Sequence, residues 1–238
     1  MGDLVYEIKG TVHQAVQISL EEGRRVFSET GGMLWMDTNI EMDTSMPGGG
    51  KGGLLGAIGG ALTRAVAGES VFLNYFTAKG GPGRVTFASS FLGTVIPKKL
   101  EAGKSIFAQR GAFLCAEDTC QLKVEFTKKL GAGLFGGEGF ILQRITGPGT
   151  CFLEIDGEST HLDLEAGQTI KLDAGHLAAF EETVSYNIEF QKNIKNLLLS
   201  GEGFAFAVLT GPGRVWLQHQ TMSGLAALLK PFFPDKAN

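Results

Sequence analysis

The sequence is poor in charge, cysteine, proline and tryptophan. Of 238 residues, 19% are charged, three are cysteine, seven proline and two tryptophan. The net charge of −4 removes the bulk attraction to phosphate backbones that nucleic-acid binders use, and disfavours nucleic acid as a partner. The longest stretches free of charged side chains run between Lys51 and Arg64, Arg84 and Lys98, and Arg214 and Lys230. Each is shorter than the ~18 residues of a spanning helix. Asp3 and Glu7 interrupt the place where a signal peptide would carry its basic and apolar regions. Cys115, Cys120 and Cys151 form no Cys-x-x-Cys pair and are odd in number. They read as small buried hydrophobes, and a reducing, cytoplasmic setting is the expectation. So few prolines, and no Gly-X-Y period, exclude proline-rich disorder and collagen.

What the chain has is glycine, 35 residues, about twice the usual ~7%. Many of these glycines recur in order, as internal repeats do. Gly81-Pro82-Gly83, Gly147-Pro148-Gly149 and Gly211-Pro212-Gly213 are one marker. Leu-Glu-x-Gly begins at Leu20, Leu100 and Leu164, with Gly31, Gly111 and Gly175 eleven residues beyond each leucine. Ile40-Glu41-Met42, Val124-Glu125-Phe126 and Ile188-Glu189-Phe190 are a third marker. Gly-Glu at Glu69, Glu138 and Glu202 is a fourth.

The repeated unit reads as β. Leu122, Val124 and Phe126 alternate with Lys123 and Glu125, and Tyr186, Ile188 and Phe190 with Asn187 and Glu189. Period two means strands with one buried face. Each Gly-Pro-Gly reads as a type II reversal, with proline presetting φ and glycine accepting φ > 0. The boundaries expected are 1–82, 83–148 and 149–238. The first unit is longer, with a Gly-rich insert at 47–67, and the surplus is placed between Met42 and Glu69. A strand-like tail precedes each Leu-Glu-x-Gly. A fourth, at 214–221, is expected to lack a unit of its own and to pack on the first unit or on a neighbouring chain. A short helix follows it, over Ser223–Lys230, ended by Pro231 and Pro234.

The Gly-rich run 48–60, Gly68-Glu69-Ser70, Phe72-Leu73-Asn74, Gly81-Pro82-Gly83 and the closing Leu225–Phe232 together resemble bacterial and archaeal members of the altered-inheritance-of-mitochondria family. The resemblance spans nearly the whole chain. It implies β-sandwich units similar to the tryptophan RNA-binding attenuation protein, three in one chain. It also implies a homo-oligomer, with a trimer whose nine units approximate a ring favoured. Eukaryotic relatives are mitochondrial and associated with inner-membrane organisation. No activity is implied, and RNA or tryptophan binding would rest on fold analogy alone.

The residues suggest no reaction. His13, His161, His176 and His219 do not recur at equivalent places, Gly-x-Ser-x-Gly is absent, and Gly52 stands where a phosphate loop needs Ser or Thr after Lys51. Glu41, Glu125 and Glu189 would form an acidic girdle in a ring, or be the polar positions of half-exposed strands. In the insert, Leu54, Leu55, Ile58 and Leu62 lie among glycines, between Lys51 and Arg64. This loop is the candidate interaction site, for an oligomer axis or a membrane surface. The expectation is an all-β chain of three tandem β-sandwich units with a short C-terminal helix. It would act as a non-enzymatic, cofactor-free structural homo-oligomer. A ligand- or RNA-binding ring and a peripheral membrane organiser acting through the insert are the alternatives.

Overall fold

In the computed structural model of the chain, the structure describes residues 2–45, 72–128, 140–190 and 205–233. The Gly-rich insert lies outside them. Strand β1 (Val5–Lys9) precedes β2 (Ala15–Leu20), β3 (Arg25–Glu29), β4 (Met33–Met36), β5 (Ile40–Ser45), β6 (Leu73–Ala78) and β7 (Gly83–Ala88). Next come β8 (Gly93–Leu100), β9 (Ser105–Gln109), β10 (Phe113–Glu117), β11 (Gln121–Lys128), β12 (Phe140–Thr146) and β13 (Gly149–Asp156). Last are β14 (Ser159–Leu164), β15 (Thr169–Asp173), β16 (Leu177–Glu181), β17 (Ser185–Phe190), β18 (Ala205–Thr210) and β19 (Gly213–Gln218). Among the described residues a helix, α1 (Met222–Leu229), is capped by the Thr221 hydroxyl, which accepts from the Gly224 amide at 3.0 Å. Pro231 stands in the short 3-10 turn that ends it.

Strand pairing follows one pattern three times. β2·β7, β8·β13 and β14·β19 pair antiparallel, with Leu20, Leu100 and Leu164 opposite Gly83, Gly149 and Gly213. β4, β10 and β16 take the other side of β7, β13 and β19, each through a bulge. β6, β12 and β18 lie between β3 and β5, β9 and β11, and β15 and β17. Two further pairings join one repeat to the next, β3·β10 and β9·β16. The result is four sheets: β1-β2-β7-β4, β5-β6-β3-β10-β13-β8, β11-β12-β9-β16-β19-β14 and β15-β18-β17.

Three apolar cores lie between successive sheets. Val16, Ile18, Leu20 and Phe87 of the first sheet meet Phe76, Leu114 and Phe152 of the second. Phe27, Phe113 and Leu153 of the second meet Ile106, Ile145 and Trp216 of the third. Leu142, Phe180 and Val215 of the third meet Ala207, Leu209 and Ile188 of the fourth. The inner sheets are therefore buried on both faces, and their strands read as continuous apolar runs, Phe113-Leu114-Cys115-Ala116 and Leu177-Ala178-Ala179-Phe180. The outer sheets face water on one side, and β2 and β18 alternate in burial. The same backbone geometry yields either pattern according to how many faces are covered.

The Gly-Pro-Gly segments do not form the expected type II reversals. Each carries the chain from one sheet into another, from β6 to β7, β12 to β13 and β18 to β19. Pro148 and Pro212 follow cis peptide bonds, and the positive φ falls on Gly149 and Gly213. The glycine ahead of the proline is needed for close approach. A Cβ on Gly147 or Gly211 would lie 2.5 or 2.4 Å from the Glu101 or Glu165 carbonyl oxygen, so the two glycine markers of the sequence touch each other. Their backbones also exchange hydrogen bonds, Gly103 N to Gly147 O and Gly147 N to Lys104 O, repeated as Gly167 N to Gly211 O and Gly211 N to Gln168 O. In the first repeat Ala78 takes this place, bonded to Gly23 N and Arg24 O. Lys79 and Gly80 therefore fall within a longer corner. The surplus of the first repeat is thus divided between the β5–β6 connection and this corner, rather than lying wholly between Met42 and Glu69.

The tail at 214–221 is not left over. Its strand β19 is paired on both sides, by β14 and β16 of its own repeat. The supernumerary strand is β1, at the other end of the chain.

Phe152 is fully buried on β13. Phe152→Ala is expected to cost about 4 kcal/mol through the cavity it leaves, whereas Val5→Ala, at an exposed site on β1, is expected to stay within about 0.5 kcal/mol. Urea unfolding followed by circular dichroism measures both.

Candidate functional site

The recurrent polar chemistry sits where the repeats join. An acid stands at the end of each of three strands: Asp37 directly after β4, and Glu117 and Glu181 as the last residues of β10 and β16. Each carboxylate accepts the backbone amide of the residue that follows Gly-Pro-Gly: Arg84 at 2.9 Å, Thr150 at 2.7 Å and Arg214 at 3.0 Å. The acid fixes the corner to the strand beside it. The three acids stand six residues after Gly31, Gly111 and Gly175, so spacing alone could have found them. The change from Asp to Glu hides the match. Side-chain hydrogen bonds from Arg84 hold Asp37 below the usual carboxylate range.

Glu117 has a second role. Its other oxygen accepts from Arg24 Nη2 at 2.7 Å, and both side chains are largely buried. Arg24 stands just before β3 of the first repeat, and Glu117 ends β10 of the next. The same guanidinium also donates to the Gly2 and Asp3 carbonyls. The Gln143 side-chain amide donates to the Glu29 carboxylate across the same junction. At the second junction Glu182 replaces this arrangement, accepting the Ser105 amide at 3.0 Å and pairing with Lys104 at 3.4 Å.

Glu41, Glu125 and Glu189 are not equivalent in space. Glu41 lies opposite Thr77, and the partners at that register in the later repeats are Gln121, opposite Thr146, and Ser185, opposite Thr210. Glu125 and Glu189 fall four residues further along. All three are exposed and lie on outer strands of three different sheets, where Glu189 pairs with Lys171 at 2.6 Å. Lys51, Leu54, Leu55, Ile58, Leu62 and Arg64, like Glu69, Glu138 and Glu202, lie outside the described residues.

Burial pushes all three thiols up, Cys120 to about 12, which keeps them protonated and poorly nucleophilic. His13 bonds the Ser89 carbonyl, His176 the Gln218 carbonyl and His219 the Thr160 hydroxyl. Among the described residues, no three His, Cys, Asp or Glu side chains group as metal ligands, and no helix is long and apolar enough to cross a membrane.

Among the described residues every sheet has two edge strands, and at two of them the joint that pairs their counterparts is left unmade. β4 ends the first sheet and β15 ends the fourth, each hydrogen-bonded on one side only. Their counterparts in the chain are all paired, β10 and β16 with β3 and β9. Exposure follows. Leu34 is 60% exposed and Trp35 36%, whereas the residues in the same places on β10, Leu114 and Cys115, are at 2% and 0%. Most other exposed large apolar side chains also cluster at the two ends, as Val5, Tyr6 and Val12 at one and Leu228, Phe232 and Phe233 at the other.

These features define a β-sheet protein whose repeated strands share sheets and whose outermost edges remain available. The profile of the family described as Mitochondrial biogenesis AIM24 matches residues 6–220. An uncharacterised protein of Streptococcus pyogenes serotype M6 is 30% identical over 94% of this chain and 88% of its own length. The crystal structure of a Streptococcus pyogenes protein from a structural-genomics programme superposes with a TM-score of 0.78 at 25% identity, covering 97% of this chain and all of that one. The chain belongs to the AIM24 family.

Two outcomes test the junction. Arg24→Leu leaves Glu117 buried without its cation and is expected to cost about 3 kcal/mol of stability in chemical denaturation. Glu154, buried on β13, accepts from the Ser90 amide at 2.8 Å, and burial holds its carboxyl above the usual 4.5. A raised folded value means that the unfolded chain ionises first, so wild-type stability falls as pH climbs from 4.5 through the folded value. Glu154→Gln keeps an acceptor for Ser90 and carries no charge. Its Tm is expected to match wild type near pH 4 and exceed it at pH 7.

Proposed function

We propose that this chain is a non-enzymatic structural subunit, three similar β units long, that joins copies of itself edge to edge into a closed assembly. The observation that carries the reading is the pair of open edges, because the chain holds two finished versions of the same joint. In β3·β10, Cys115 faces Ser28, Ala116 faces Phe27 and Glu117 faces Val26. In β9·β16, Ala179 faces Ala108, Phe180 faces Phe107 and Glu181 faces Ile106. The register is the same at both. Carried one repeat further, it sets Trp35 of one copy opposite Leu172 of another, Met36 opposite Lys171 and Asp37 opposite Ile170. An unpaired edge exposes backbone donors and acceptors and is a template for another strand. A partner strand would also cover Leu34 and Trp35.

The recurrent acids support a structural role, since Asp37, Glu117 and Glu181 are each engaged by a backbone amide. The resemblance to triplicated attenuation-protein-like units favours three copies, nine units in a ring. A cytoplasmic setting accords with three protonated, buried thiols.

Native mass spectrometry tests the reading. Wild type is expected as a discrete trimer, and Leu34→Asp, which alters a side chain exposed in the single chain, is expected to shift it to monomer with an unchanged circular dichroism spectrum. A wild type that stays monomeric at micromolar concentration overturns it.

A further inference from the structure

The C-terminal segment is the least explained part of the chain. Residues 222–233 form α1 and the turn after it, and none of them is buried. The helix sequence, Met222-Ser-Gly-Leu-Ala-Ala-Leu-Leu229, has no charge on any side. Leu228 is 69% exposed and Phe232 81%. A helix apolar all round is normally covered.

Where the helix is rooted says what covers it. The linkers that lead into successive repeats stack on one another. Gln14 N donates to Gly93 O, Gly157 N to Leu92 O, and Gln220 N to Asp156 O. His13 bridges Gly93, and Gly93 bridges Gly157. Residues 219–221 occupy the next step of this stack, the step from which a further repeat would begin. In the edge-to-edge assembly proposed above, that repeat is the first repeat of the following copy. Its entry is the turn between β1 and β2, where Val12 is 68% exposed, and its open edge carries Leu34 and Trp35. The end of one chain thus leaves its last repeat beside the apolar start of the next.

From this juxtaposition we infer that residues 222–233 are a clasp that docks on a second copy of this chain, with Leu228, Phe232 and Phe233 covering the apolar surface around Val12 and Leu34. The inference rests on the edge-to-edge reading. A lipid surface fits less well, because the segment has a single cation, Lys230, on a chain of net charge −4, and contact with anionic lipid draws on several basic residues.

Two variants of the full chain test it: a stop after Thr221, and the pair Leu228→Asp and Phe232→Asp, which alters only exposed side chains. Dissociation on dilution is followed by mass photometry, and binding to phosphatidylcholine–phosphatidylglycerol vesicles by flotation. Both variants are expected to assemble but to dissociate at concentrations about tenfold higher than wild type or more, with unchanged circular dichroism spectra. Variants that dissociate where an assembled wild type does overturn the clasp and leave the edge pairing standing. A monomeric wild type overturns both. Wild type that floats with vesicles, when the variants do not and dissociation is unaltered, assigns the segment to lipid and overturns the clasp.

Discussion

The sharing of a sheet between adjacent repeats is the constraint on which this structure depends. β3 takes β10 of the next repeat as its neighbour, and β9 takes β16. Without that exchange each repeat would hold two small sheets with open edges, close to the fewest strands that stand alone. With it, each of the two central sheets reaches six strands and has apolar cover on both faces. The buried Arg24–Glu117 pair and the Gln143–Glu29 contact sit on this shared boundary. They are poor sources of net stability, since desolvation offsets their attraction and Arg24 Nε and Gln143 Oε1 are buried without a partner, but the contacts they make form in one alignment of the two repeats.

The corners serve the same end. A strand can leave one sheet and enter the next only if the backbone turns without colliding with the loop beneath. The glycines at 147 and 211 have no side chain to strike the carbonyls of Glu101 and Glu165. The carboxylates of Asp37, Glu117 and Glu181 then hold the emerging strand by its first amide. The carboxylate–amide bond, used three times, fixes each emerging strand in register and so sets which residues face the core.

Much of this was legible in the sequence. Alternation identified edge strands, β11 and β17, and Pro231 marked the end of the helix. The ordered glycines revealed a threefold pattern before any pairing was known. What could not be read was partnership over distance. Nothing local tells Phe27 that it will lie opposite Ala116, and the corners looked like hairpins because a hairpin and a sheet crossing use the same residue types. The glutamates misled for a related reason. Ile-Glu-Met at 40–42 resembles Val-Glu-Phe at 124–126, but it begins four residues early relative to Leu20 and Leu100, and strand register, not likeness of tripeptides, decides equivalence. Asp37, Glu117 and Glu181 were the recurrent acids to find. The open edges were invisible, since Met33-Leu-Trp-Met36 is as apolar as the strands that turned out to be buried.

Covalent continuity between repeats has a geometric consequence. In the proposed assembly two of every three joints lie within one polypeptide and are made when it folds; the third would depend on a meeting between molecules. A ring built this way can change size only by whole chains, three units at a time. If the rotation preferred at each joint does not divide a full turn by a multiple of three, the error falls on the one joint free to adjust. In the proposed pairing that joint is also the one whose residues would depart from the other two, with Trp35 and Leu172 where Cys115 meets Ser28 and Ala179 meets Ala108.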